Sequence, residues 1–162
     1  MIAADLLRRA GRHLLERRPR PTWSRVTVID EFDPADPAYG WHLITDYRRC
    51  HPAGIDNPET LSLWVTGLVD VLGMKPHGGP IVESFAHHDP VTAGYSVVQL
   101  ITTSSITATL TPITAHMSPH LRTAHVDVFS CRRFDPMVAM EYTASVFRAS
   151  LPHSRSVFLG RG

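Results

Sequence analysis

From Trp41 onward the chain switches between two hydrophobic spacings. "WHLITDYRRC" alternates apolar and polar positions as a half-buried strand does. Asn57 followed by Pro58 has the signature of a helix start, with a side-chain cap and a residue pre-set for the first helical position. Leu61, Trp64, Val65, Leu68 and Leu72 then recur at three- and four-residue steps, which predicts one apolar stripe, and Gly73 with Pro76 closes the helix. Next come four short runs, "PIVESFAHH", "YSVVQLITTS", "SITATLTPI" and "TAHVDVFSC", each reading as a strand. The segment "PITAHMSPHLR" is expected to turn the chain before the last of them. "FDPMVAMEYTASVFRAS" predicts a second helix capped by Asp135, with Pro136 behind it and Met137, Met140, Ala144 and Phe147 on one side. "SRSVFLG" predicts a closing strand.

Strand, helix, four strands, helix, strand is the order of an α+β fold. The expected architecture is a two-layer sandwich, a largely antiparallel β-sheet with both helices on one face. Upstream, Met1 to Arg18 places Leu6, Leu7, Ala10, Leu14 and Leu15 near helical spacing, and the proline- and acid-rich "DEFDPADPAYG" reads as a connector. Residues 1–36 are therefore expected to form a helical extension and linker, and residues 37–162 the folded domain.

With 162 residues, 43% of them hydrophobic, the chain has material for one core. The net charge of +1 supplies no field to steer it to nucleic acid or to an anionic membrane, so neither partner is expected. Arginines interrupt the N-terminal apolar positions and no run is long enough to cross a bilayer, which predicts a cytoplasmic protein. Cys50 and Cys131 are far apart and lack neighbours at zinc-ligand spacing, so neither a disulfide framework nor a zinc ribbon is indicated.

His87, His88 and Asp89 are ordinary ligand types, but adjacent strand residues point to opposite faces, and no metal is expected there. A serine hydrolase would want a Gly-x-Ser-x-Gly elbow, and the chain has none. More suggestive is Cys131, which ends a strand whose His125, Asp127 and Phe129 share its face. If that strand pairs antiparallel with the one leaving Ser104, the start of one lies opposite the end of the other, and Ser104 meets Cys131. A buried cysteine acting only as a small hydrophobe is the plain alternative.

These residues resemble the prokaryotic S-adenosylmethionine decarboxylase family, small enzymes that cut their own backbone to make a pyruvoyl group. "WHLITDYRRC", "GYSVVQLITTSSIT" and "AHVDVFSCRRFDPMVAMEY" carry the likeness over roughly residues 41–149. It implies that Ser104 becomes the pyruvoyl group, the covalent cofactor, after cleavage of the Thr103–Ser104 junction. It implies that Cys131 is the catalytic proton donor and that Ser96 assists self-processing. Phe85 would offer an aromatic face to the substrate sulfonium, an attraction of about 0.5–2 kcal/mol, and His88 falls where a second aromatic is implied. The small-molecule substrate implied is S-adenosylmethionine, the product the aminopropyl donor for spermidine synthesis, and the assembly a homodimer.

The chain departs from the family pattern in two respects. Thr102 and Thr103 stand where it has a glutamate at or beside the junction, and Thr109 stands where it has a histidine. The first is tolerable, because the hydroxyl of Ser104 attacks the backbone carbonyl of Thr103, not its side chain. The second removes a base, since threonine takes no proton at neutral pH. His116, His120 or His125 would be the nearest replacements along the chain. Three readings stay open: an S-adenosylmethionine carboxy-lyase, the same fold acting on arginine or ornithine, or an unprocessed pseudoenzyme that binds a nucleoside or regulates a partner decarboxylase.

Overall fold

A computed structural model of the chain describes residues 26–29, 40–89, 91–102, 110–150 and 155–159. The expected Met1–Arg18 helix, most of the acidic connector, and Thr103, Ser104 and Thr109 lie outside these residues.

Seven strands are described: β1 (Val26–Ile29), β2 (Trp41–Arg48), β3 (Lys75–Phe85), β4 (Gly94–Thr102), β5 (Leu110–Ser118), β6 (Thr123–Ser130) and β7 (Arg155–Leu159). They form one sheet in the order β1-β7-β2-β6-β5-β4-β3. Every neighbouring pair is antiparallel except β1 with β7. Three helices are described: α1 (Pro52–Ile55), α2 (Pro58–Val71) and α3 (Pro136–Phe147). The α+β arrangement expected from the pattern is the one observed. Within the stretch read as an extension, Val26–Ile29 adds the edge strand β1.

The helix starts follow from their caps. The Asn57 side chain accepts from the Thr60 N–H at 2.9 Å, and Asp135 accepts from the Met137 N–H at 2.8 Å, each with proline at the first helical position. At the far end of α2, Gly73 takes a φ of 63°, a left-handed conformation that costs glycine little. On the stripe expected for α2, Leu61, Trp64, Val65 and Leu68 are fully enclosed, while Leu72, at the C-cap, is half-buried. On α3 the covered side is Ala139, Met140, Tyr142, Thr143, Ala144 and Phe147, while Met137 is half-buried.

The two longer helices lock through aromatic and polar contacts. Trp64 packs on Phe147 with ring centroids 4.7 Å apart, its indole N–H donates to the Thr143 hydroxyl at 3.2 Å, and the Tyr142 hydroxyl donates to the Trp64 carbonyl at 3.3 Å. Gly67 makes that approach possible, because a Cβ there would run into the Tyr142 hydroxyl. Together the helices bury Leu43, Thr45 and Tyr47 of β2, Val97, Gln99 and Ile101 of β4, Ile113, Ala115 and Met117 of β5, and Ala124, Val126 and Val128 of β6. Alternate positions on the same strands point away from the helices and are half-buried or exposed.

Two element boundaries differ from expectation. The third strand after α2 was expected over 105–113, with the turn at 112–122; β5 runs past Ile113 to Ser118 and the turn is Pro119–Arg122, while 105–109 lie outside the described residues. Ile113, Ala115 and Met117 alternate with Thr114, His116 and Ser118, a strand period that the flanking prolines disguise. β3 begins at Lys75 and so includes Pro76 and Pro80. Both are tolerated because β3 is an edge strand whose register shifts between His77 and Ile81.

Candidate active site

The face of the sheet away from the helices carries the chemistry. Register sets Glu83 of β3 opposite Ser96 of β4, Ser96 opposite His116 of β5, His116 opposite His125 of β6, and His125 opposite Asp46 of β2. One polar row thus crosses five strands. Two of its contacts are direct: Ser96 Oγ lies 2.9 Å from His116 Nδ1, and His125 Nδ1 lies 2.7 Å from Asp46 Oδ1. Next to this row, His42 Nε2 approaches Asp127 Oδ1 at 2.6 Å, and the His42 ring stands edge-on to Phe129 with centroids 5.6 Å apart.

The residues singled out in the sequence fall at two ends of the sheet. β4 leaves it at Thr102, two residues before Ser104 in sequence, where Thr102 faces Leu110 at the start of β5. β6 leaves at the same end, since Val128 faces Ile113 and the strand stops at Ser130. Cys131 is half-buried in the bend that follows. Its neighbours are held: the enclosed Ser130 hydroxyl donates to the Arg132 carbonyl at 2.8 Å and accepts from the Arg132 N–H at 3.1 Å, and the Arg133 guanidinium lies 5.0 Å over the Trp41 ring.

Ser96, Phe85 and His88 belong to the opposite end. Ser96 is six residues from Thr102, about 20 Å along an extended strand. Phe85 faces Gly94 across β3 and β4, and its ring fills the space that a Cβ on Gly94 would take. His88 is exposed in the turn beyond β3. Asp89 fastens that turn: its carboxylate accepts from the Val91 N–H and the Thr92 hydroxyl, both at 2.9 Å, and these bonds hold its pKa below the usual carboxylate value. The fold therefore does not bring Ser96 and Phe85 to Cys131 within one chain.

The two cysteines sit in different environments. Cys50 is enclosed, its backbone carbonyl accepting from the Arg122 side chain at 2.9 Å, and burial pushes its thiol up to about 11. Among the described residues no group of three or more His, Cys, Asp or Glu side chains is arranged to hold a metal ion. None of the described helices is long and apolar enough to cross a membrane.

A family model described as S-adenosylmethionine decarboxylase matches residues 41–158, well over half of the chain. The chain belongs to the S-adenosylmethionine decarboxylase family. A crystal structure of the adenosylmethionine decarboxylase from Aquifex aeolicus VF5 superposes with a TM-score of 0.57 at 19% identity, covering 78% of this chain and 93% of that one. At that identity the likeness concerns the fold. No curated protein sequence matches this chain.

Sequence reasoning missed several parts of this S-adenosylmethionine decarboxylase fold's open face. Glu83, Asp46 and His42 were not singled out, and neither was Ser130. Strand alternation alone puts each on its face; what was lacking was the pairing register that makes them neighbours.

Proposed function

We propose that the chain is a pyruvoyl-dependent decarboxylase of S-adenosylmethionine, formed by self-cleavage before Ser104 and supplying the aminopropyl donor for spermidine synthesis. The observation that carries this reading is the shared exit of β4 and β6: β4 ends at Thr102, two residues before Ser104 in sequence, at the end of the sheet where Cys131 sits. A half-buried thiol in a bend whose backbone is fixed by the Ser130–Arg132 hydrogen bonds fits the neighbourhood that a pyruvoyl group needs. That group supplies the electron sink for loss of carbon dioxide. Cys131 then acts as general acid, its thiol giving a proton to the substrate carbon that has lost its carboxylate. Phe85 presents a ring to the sulfonium, and His88 lines the same end of the site.

Because Ser96 and Phe85 stand at the end of the sheet away from Cys131, a complete site takes residues from two chains. Two copies packed through their open faces in opposite senses would join the Ser96–Phe85 end of each to the Cys131 end of the other. The homodimer is therefore part of the proposal, and an isologous two-fold contact is its natural geometry. The amphiphilic face supports it: Ile81, Val98 and Ile44 lie on it beside the polar row, and Ile81 is 55% exposed.

Intact-mass analysis of the purified full chain tests the proposal. Fragments 1–103 and 104–162 are expected, and a Ser104→Ala chain stays whole. Carbon dioxide release should follow with S-adenosylmethionine and not with arginine or ornithine. One observation favours a second reading, an unprocessed nucleoside-binding relative: Thr109 stands where the resemblance implies a histidine. An uncut wild-type chain that still binds a nucleoside would select it.

A further inference from the structure

Two histidine–aspartate pairs lie on the face that the proposed dimer covers. His42 Nε2 is 2.6 Å from Asp127 Oδ1, and His125 Nδ1 is 2.7 Å from Asp46 Oδ1. In the single chain both pairs still meet water, with side-chain exposures of 31% and 29% in the first and 45% and 51% in the second. We propose that closing the open face takes up protons at these two pairs, so that the homodimer tightens as pH falls through the imidazole range and loosens as it rises; this rests on the dimer that belongs to the decarboxylase reading.

Register places both pairs on adjacent inner strands. His42 faces Phe129, Ile44 faces Asp127 and Asp46 faces His125, so the pairs follow one another along β2 and β6 with Ile44 between them. The other charged or titratable positions on this face are Arg48 of β2, Lys75, His77 and Glu83 of β3, His116 of β5 and Arg155 of β7. His116 is held by the uncharged Ser96 hydroxyl. Arg48 ends β2, Lys75 opens β3 and Arg155 opens β7, so the fixed positive positions fall at strand ends. Asp127 stands in the middle of β6 and Asp46 opposite His125, where a second sheet would cover them. The titratable groups in direct contact with those carboxylates are His42 and His125.

A carboxylate that accepts from a neutral imidazole keeps its whole negative charge. Water solvates that charge on the open face, and covering the face removes the water. A two-fold contact also brings the Asp46 and Asp127 carboxylates of both copies into one layer, where like charges repel. Protonating His42 and His125 turns each pair into a neutral ion pair joined by a charge-assisted hydrogen bond. The covered state therefore binds protons more tightly than the separated chains do. By linkage, the stabilisation of the dimer is fully present at a pH where the separated chains already carry the protons, and it is lost as pH rises until the dimer releases them. The window begins in the ordinary imidazole range, about pH 5 to 8, and extends upward by what the dimer adds.

Sedimentation of the purified full chain over a concentration series gives the dimer Kd at about pH 6 and about pH 8.5. Uptake of one proton per dimer changes Kd about tenfold per pH unit, so the dimer should be weaker by about 100-fold or more at the higher pH. The Asp46→Asn/Asp127→Asn chain keeps an acceptor for each imidazole without the charge, and its Kd should stay nearly constant over that range. The His42→Gln/His125→Gln chain keeps both carboxylates and offers no proton, and it should dimerise weakly at both values. The heat of dissociating the wild-type dimer by dilution should vary with the ionisation enthalpy of the buffer, which reports protons released whether or not the variants fold. A wild-type dimer that does not loosen as pH rises, or whose dissociation heat is the same in every buffer, overturns the inference and leaves the decarboxylase reading standing. So does an Asp46→Asn/Asp127→Asn dimer as sensitive to pH as wild type, because the protons then bind elsewhere. A wild-type chain that is monomeric at every pH overturns the dimer itself, and this inference falls with it.

Discussion

Cys50 and Cys131 show how position along a strand decides what a thiol does. Cys50 is enclosed beneath the Arg122 turn, and removing its proton would leave an unsolvated thiolate, so burial holds its pKa near 11. Cys131 is half-buried in the bend that follows β6. Thiol labelling of native protein at pH 8 should therefore modify Cys131 and spare Cys50, with both reacting once the chain is unfolded. Iodoacetamide-treated protein is expected to lose decarboxylation in step with Cys131 labelling.

The same shift gives the sign of a pH effect. An unfolded cysteine ionises near pH 8.5, whereas folded Cys50 keeps its proton to about 11. The folded state holds the proton more tightly, so the contribution is fully present below the unfolded value and is lost as pH rises toward the folded one. The buried Tyr47 and Tyr142 hydroxyls are shifted in the same direction by burial, Tyr142 to about 12. Thermal unfolding between pH 8 and 10.5 should show a steeper decline for wild type than for Cys50→Ala.

At the scale of elements, the α2–α3 contact holds the helical layer on the sheet. Trp64 is fully buried, packs on Phe147 and satisfies its indole N–H with Thr143, so Trp64→Ala removes both the packing and that hydrogen bond. A loss of about 3–5 kcal/mol is expected in chemical denaturation. Gly67→Ala tests the same contact from the other side, since its methyl meets the Tyr142 hydroxyl. The Tyr142→Phe background should recover part of the lost stability by removing the clashing oxygen.

The helices were the most legible elements because their signals are local: a cap, a proline at the first position and a stripe within about four turns. β5 was less legible. Pro112 and Pro119 bracket a good two-residue alternation, and turn chemistry outweighed it when the chain was read linearly. β3 was read short for a related reason, its early prolines being acceptable only because it lies at the sheet's edge.

Across the whole molecule, the open face is the surface that the proposed dimer must cover. Val98 sits on it between Ile81 and Thr114, away from the helical core. Val98→Glu should leave the helical circular dichroism unchanged while shifting sedimentation from dimer to monomer and stopping self-cleavage. A Val98→Glu chain that remains dimeric and fully cut would rule out this face as the contact.

By itself the sequence determined the elements, their caps, the face of each strand residue and the resemblance to a decarboxylase family, all of which depend on neighbours within a few positions. Only the tertiary structure decided that Glu83, Ser96, His116, His125 and Asp46 form one row, and that Ser96 stands far from Cys131. The physical reason is register. A period of two assigns a side chain to a face, but which residue it meets across the ladder depends on pairings between segments distant in the chain, and a slip of one position would replace every neighbour.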